Sequence, residues 1–179
     1  MTELGFIQDA SLRKTIENAI NFVYGLFDQS KKEEQSDLYK EETYRVIILY
    51  IISTIEPVLL YFYKQQPDRM ERIEYKYKHV LPAEFTHIQK SASRIIIAIE
   101  EKGSKEDHAI GLFDLIMFFK ARKLIIEKTA HSILELNEIR NTFHFSKSRK
   151  TSCDISKVEE AFQLLVHTLE HAPRKLQTK

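Results

Sequence analysis

The sequence predicts an all-α protein, an antiparallel bundle of about five to seven helices, and three observations lead there. Glycine and proline number only four each in 179 residues, leaving little of the turn chemistry that tight hairpins require. Long runs rich in Ile, Leu, Lys and Glu favour helix by intrinsic propensity. Apolar residues also recur at helical intervals through most of the chain. With 43% hydrophobic residues and no long Gly-, Pro- or Ser-rich spacer, residues 1–179 read as one domain with ample material for a core.

The first helix is expected from Asp9 or Ser11 to about Asp28, because Leu12, Ile16, Ala19, Ile20, Val23, Leu26 and Phe27 form an apolar stripe. Ser30 to Gln35 is a charged connector. A longer second helix is expected from Ser36 to about Gln65, with a kink at Pro57, where a backbone donor is missing. It contains an 18-residue apolar stretch, Val46 to Tyr63, near the length that crosses a bilayer. Glu56 within that stretch, Pro57 beside it and its several tyrosines argue against a membrane span. The stretch reads instead as a helix buried on most sides, at the centre of a bundle or partly against a second subunit.

Between Arg69 and Phe85 the period changes to two. Ile73, Tyr75 and Tyr77 alternate with Glu74, Lys76 and Lys78, predicting a short irregular or extended insertion near residues 69–88. Aromatic and basic residues interleaved in this way suit single-stranded nucleic acid, and equally a half-buried surface strand. Helix is expected to return after Ser91, through Ile95, Ile96, Ile97, Ala98 and Ile99, and to stop near Gly103. Another runs from Gly111 through Lys120 toward Lys128, and the next carries Leu134, Leu136, Ile139 and Arg140. The final helix starts at Asp154 or Ser156, presents Ile155, Val158, Phe162, Leu165 and Leu169 on one face, and is expected to end at Pro173.

Charge and cysteine content narrow the chemistry. The net charge is only +1, yet residues 1–139 hold 19 basic and 22 acidic side chains while residues 140–179 hold 8 basic and 4 acidic. The basic excess includes Lys147, Arg149 and Lys150, a cluster that can steer a polyanion or simply form a solvated loop. The single cysteine, Cys153, permits no internal disulfide and has no adjacent base to make it a nucleophile. No secretory leader pattern opens the chain, which reads as cytoplasmic. Gly-rich phosphate loops, Ser-centred elbows and paired-carboxylate motifs are missing from the sequence, which argues against nucleotide hydrolysis, esterase and glycosidase chemistry. His167 and His171 have a spacing that can chelate zinc, but no further ligand completes a set, and two exposed histidines are the simpler reading.

The residues that stand out are Leu136-Asn137-Glu138-Ile139-Arg140-Asn141-Thr142-Phe143-His144-Phe145. If the backbone stays helical through Phe143, Arg140 and His144 lie about 40° apart on one face. A permanent planar cation beside a side chain that titrates near neutrality suits phosphodiester chemistry. The plain alternative is that Arg140 complements a helix C-terminus, Asn141 is the left-handed residue ending that helix, and His144 is a surface histidine.

This segment, preceded by the GLFDLIMFF helix and followed by one amphipathic helix, resembles the HEPN family over roughly residues 109–171. The family is one of small all-α domains, often metal-independent endoribonucleases, found in toxin–antitoxin, phage-defence and CRISPR-linked systems. Its signature is an arginine, usually followed by Asn, Asp or His, and then a histidine after four to six intervening residues. Arg140 matches the arginine and Asn141 the polar neighbour; His144 is the nearest histidine, with three residues between. The resemblance implies that histidine serves as general base or acid, that arginine neutralises the phosphorane, and that Asn141 orients phosphate or imidazole. It further implies RNA as substrate, no metal or other cofactor, and a homodimer pairing two motifs, with apolar surface on the second and last helices available for it. It leaves open a non-catalytic dimerisation or interaction module that binds a nucleotide or a protein partner, such as an antitoxin or a nucleotidyltransferase-like protein.

Overall fold

The computed structural model describes residues 4–32, 34–82, 94–104, 106–142 and 152–176. The chain divides into two compact units, one formed by Met1–Gln66 with Gly111–Lys179 and the other by Pro67–Ile110. The first is a bundle of five α-helices among the described residues: α1 (Ala10–Ser30), α2 (Asp37–Lys64), α3 (Leu112–Ala121), α4 (Glu127–Asn141) and α5 (Ile155–Leu176). The all-α class read from the sequence is the class observed for this unit.

Local chemistry explains where the first two helices begin. Asp9 caps α1, its carboxylate accepting the amides of Ser11 and Leu12 at 2.9 and 3.0 Å. Ser36 caps α2 by accepting the amide of Tyr39 at 3.3 Å. Both side chains satisfy amides that have no carbonyl one turn earlier. α2 continues through Pro57 as one element and closes at Gln65. The N-terminal segment is tied to the far end of α2 by Tyr61, whose hydroxyl accepts the amide of Gln8 at 3.1 Å and donates to the carbonyl of Phe6 at 3.2 Å. Phe6 also stacks on Phe62 at 5.5 Å.

α2 is the centre of the bundle, and α1, α3, α4 and α5 all pack on it. Ile47, Ile48, Ile51, Ile52, Ile55 and Val58 are fully buried, and with them Phe62 and Tyr63. Among the described residues α2 is the one helix long and apolar enough to cross a membrane, and 56% of its most apolar window is buried within the chain. Its buried threonines cost little, because Thr43 and Thr54 donate to the carbonyls of Tyr39 and Tyr50 at 2.7 and 2.8 Å. Aromatic contacts join α2 to α3 through Tyr63 and Phe118 at 4.9 Å, and α1 to α5 through Tyr24 and Phe162 at 5.1 Å.

α3 stops at Ala121, short of the expected Lys128. Lys123 adopts the left-handed conformation (φ 57°), its amide bonds the carbonyl of Lys120 at 2.9 Å, and the amide of Leu124 bonds that of Phe119 at 2.9 Å. This reversed pair closes a Schellman motif with lysine where glycine is usual. The opposite correction applies to α5, whose backbone passes the expected stop at Pro173 and reaches Leu176. Proline removes one hydrogen bond from a helix without obliging it to end.

The second unit is a two-stranded antiparallel ribbon of β1 (Glu71–Pro82) and β2 (Arg94–Ser104), followed by a 3-10 turn at Asp107–Ala109. The extended insertion expected near residues 69–88 is present as β1, but the helix expected from Ser91 to Gly103 is a strand. A short apolar run does not declare its period. Consecutive isoleucines, stiff at χ1, favour a pleated backbone once a partner strand is present. Tyr77 pairs with Ala98 and His79 with Ile97, so Lys78 is an extra residue forming a β-bulge.

Two stability measurements test this account. Urea denaturation of Ile51→Ala is expected to show a loss of about 2–5 kcal/mol, the range for truncating a fully buried aliphatic residue. Lys123→Gly is expected to gain about 1 kcal/mol, by relieving the left-handed residue at the end of α3.

Candidate functional site

The candidate site lies at the C-terminal end of α4. Ala130, Ile133, Leu136 and Ile139 are buried along this helix at three-residue intervals, a spacing that fixes which side meets the bundle. Arg140 follows Ile139 at the margin of that stripe. Its Nη1 donates to Oε2 of Glu56 on α2 at 2.7 Å, and the two side chains retain 27% and 29% exposure. Glu56 is the charge inside the apolar stretch of α2, and Arg140 is its partner. A charged hydrogen bond of this length is short and directional. Because the contact runs from one nitrogen to one oxygen, it engages only one of the five N–H donors of a guanidinium.

A second arginine sits beneath the same helix end. Arg45 is 3% exposed. Its Nη2 donates to Glu41 at 2.8 Å and its Nη1 to the Thr142 hydroxyl at 3.5 Å, with Glu42 at 3.8 Å from Nε. Thr142 is the C-cap of α4. Its amide bonds the carbonyls of Glu138 and Ile139, both at 3.1 Å, and its hydroxyl donates to Ile139 at 2.7 Å. Cys153, just before α5, is buried, and burial pushes its thiol up to about 12 while the Arg45 charge pulls the other way. The thiol is therefore neutral at physiological pH and poorly nucleophilic. Asp154 opens α5 by accepting the amide of Lys157 at 3.1 Å and the hydroxyl of Ser156 at 2.6 Å. These bonds, the Ser156 hydroxyl first, hold its carboxyl below the usual range.

Of the residues singled out in the sequence, Arg140 and Asn141 fall in the last turn of α4, both half-buried. His144, Lys147, Arg149 and Lys150 lie outside the described residues. The same-face geometry required helix through Phe143, which with His144 lies outside the described residues. The helix closes at Asn141, because the Thr142 amide is shared between two carbonyls and tightens the last turn. Nor is Asn141 a left-handed terminator: Lys123 is the only non-glycine residue with positive φ among those described. His167 lines a shallow groove of about 350 Å³ on α5 with Phe162, Gln163, Val166 and Glu170. No group of three or more His, Cys, Asp or Glu residues is placed to hold a metal ion among the described residues.

Sequence reasoning missed Glu56 as a site residue, although a lone carboxylate in an 18-residue apolar run is itself a signal that a cation waits nearby. It also missed Arg45, flagged only by Glu41 four residues earlier. One turn before Arg140, the Oδ1 of Asn137 is buried without a hydrogen-bond partner among the described residues. Comparison with protein-family profiles, with curated proteins and with solved structures gives no match for this chain.

A double-mutant cycle on Glu56→Ala and Arg140→Ala, read by chemical denaturation, is expected to give a coupling of about 1 kcal/mol, the upper end for a partly exposed pair. Cys153 provides a pH test. Its folded pKa is raised above the ordinary 9.0, so its stabilising contribution is complete below pH 9 and declines as pH rises toward 12. At pH 8 its reaction with a disulfide reagent is expected to be at least about 100-fold slower in the native chain than in urea, and equal rates would contradict the burial.

Proposed function

We propose that this chain is a metal-independent endoribonuclease of the HEPN type, acting in the cytoplasm in a toxin or phage-defence setting. The observation that carries the reading is Arg140, whose guanidinium is pinned by Glu56 while about a quarter of its side chain stays exposed. An arginine anchored through one donor keeps the others for a phosphate and loses little freedom on binding it. Asn141 stands beside it, and the segment that follows supplies His144 and the basic Lys147, Arg149 and Lys150.

In this reading the 2′-hydroxyl attacks the adjacent phosphorus and the 5′-oxygen leaves, giving a 2′,3′-cyclic phosphate and a 5′-hydroxyl. His144 takes the proton from the nucleophile or gives one to the leaving oxygen. Arg140 neutralises charge gathering on the phosphorane, and Asn141 orients the phosphate or the imidazole. RNA is selected because DNA lacks the nucleophile. The lysines and arginine beyond the motif hold the strand by its phosphates. The active species is a homodimer that brings two motifs together. Glu56 is a positioning residue, acting through Arg140.

A second reading has an observation of its own. Phe113, Met117 and Ile126 are 59%, 42% and 54% exposed around α3 and the start of α4. Phe113 and Met117, four residues apart, share one face of α3, and exposed apolar surface of this kind suits a non-catalytic helical module that binds an antitoxin, a nucleotidyltransferase-like protein or a nucleotide.

Cleavage of total RNA in EDTA separates the two. The enzyme reading expects products ending in cyclic phosphate, with losses of about 100-fold or more in His144→Ala and Arg140→Ala at unchanged helicity. In Glu56→Gln, the enzyme reading expects a smaller loss. Intact RNA at high protein concentration, or full activity in both alanine variants, sinks the enzyme reading.

A further inference from the structure

A two-stranded ribbon leaves each strand with one unpaired edge, and β1–β2 is paired only to itself among the described residues. Ribbons of two strands are marginal alone, and a third or fourth strand makes the sheet self-sufficient. The strands here are long, 12 and 11 residues. Two features of the pairing say what chemistry suits the open edge of β2.

The first is the order of residues along that strand: Arg94, then Ile95, Ile96, Ile97, Ala98 and Ile99, then Glu100 and Glu101. A basic end, an apolar middle and an acidic end make a segment that is complementary to itself when reversed. Laid antiparallel against an identical strand and centred on Ile97, it sets Arg94 opposite Glu100, Ile95 opposite Ile99 and Ile96 opposite Ala98, twice over. The apolar run matches throughout, and both ends carry opposite charges, the cross-strand arrangement that stabilises a sheet. A parallel alignment in register would instead stack Arg94 on Arg94 and the glutamates on one another.

The second feature is inside the ribbon. Glu74 pairs directly with Glu101, a like-charge pair that weakens a ladder. In the antiparallel alignment a second Arg94 arrives opposite Glu100, one position from Glu101 and on the other face of the sheet, so it brings positive charge to the acidic end of β2 without meeting the Glu74–Glu101 pair itself. Apolar positions run consecutively at Val80-Leu81 and Ile95–Ile99, and the register sets Leu81, Val80 and His79 against Ile95, Ile96 and Ile97. Consecutive apolar residues, rather than alternating ones, are the pattern of strands covered on both faces.

We infer that β2 is a self-association edge: two copies of this chain join β2 to β2 around a two-fold axis near Ile97, giving a four-stranded antiparallel sheet ordered β1-β2-β2-β1. A two-fold axis requires one surface that fits its own copy, and the Arg-to-Glu polarity of β2 provides it. The inference concerns an interface and holds whether or not Arg140 takes part in RNA chemistry.

The test is sedimentation of the full chain and charge variants over a concentration series, with circular dichroism as a check on folding. The wild-type chain is expected to dimerise. Arg94→Glu sets glutamate against glutamate at both ends, and Glu100→Lys/Glu101→Lys sets lysine against arginine, so each is expected to weaken the dimer about tenfold or more. Mixed in equal amounts, the two variants regain opposite charges at both junctions and are expected to form a heterodimer close to wild-type affinity, which a mere folding defect would not permit. A wild-type chain that stays monomeric overturns the inference. So does a dimer that either variant leaves unchanged, or a pair of folded variants that fail to rescue one another.

Discussion

Burial of α2 is the constraint on which the bundle depends. A 28-residue helix with Ile47, Ile48, Ile51, Ile52 and Ile55 at essentially no exposure presents a broad apolar face, these five side chains spreading over about 140° of its circumference. One neighbour cannot cover it, so helices must be arranged around it. α1, α3, α4 and α5 do so from separate parts of the sequence. Aromatic pairs join the elements around it, Phe6 to Phe62, Tyr63 to Phe118 and Tyr24 to Phe162, in stacked and edge-on geometries.

The two charges that interrupt α2 on its buried side both serve the end of α4. Arg45 reaches the Thr142 cap, and Glu56 receives Arg140. Positions 45 and 56 are about 16 Å apart along the helix axis, so the last turn of α4 is held at two separated points. Arg45 is already paired with Glu41 and Glu42 on its own helix, so it is the Glu56–Arg140 contact, part-exposed and worth about 1 kcal/mol, that adds an electrostatic preference for this seating of α4. Cys153, just before α5, feels the charge of the same Arg45. The chemistry proposed for this site thus rests on a helix end whose position is set by apolar contact together with electrostatics.

Legibility varied with the kind of signal. The caps of α1 and α2 were readable because Asp9 and Ser36 act within three residues of their own position. The central place of α2 was readable because a run from Val46 to Tyr63 interrupted by Glu56 and Pro57 is explained better by a core than by a bilayer. β2 was misread as helix because Ile95 to Ile99 carries no period, and only its pairing with Val80 and Leu81 selects the extended form. The early stop of α3 was also hidden, since nothing about Lys123 announces a left-handed residue; the reversed hydrogen bonds to Phe119 and Lys120 impose it.

By itself, the sequence determined the helical class, the caps, the buried central helix and the identity of Arg140 and Asn141 as the residues worth watching, because those follow from periodicity and from side chains acting on neighbouring backbone. Only the tertiary structure decided that Glu56 holds Arg140, that Arg45 sits under Thr142, and that residues 94–104 form a strand. Each of these joins parts of the chain far apart in sequence, 84 residues for Glu56 and Arg140 and 97 for Arg45 and Thr142. Such partners are chosen by which surfaces the burial of α2 brings together, a choice that no local pattern contains.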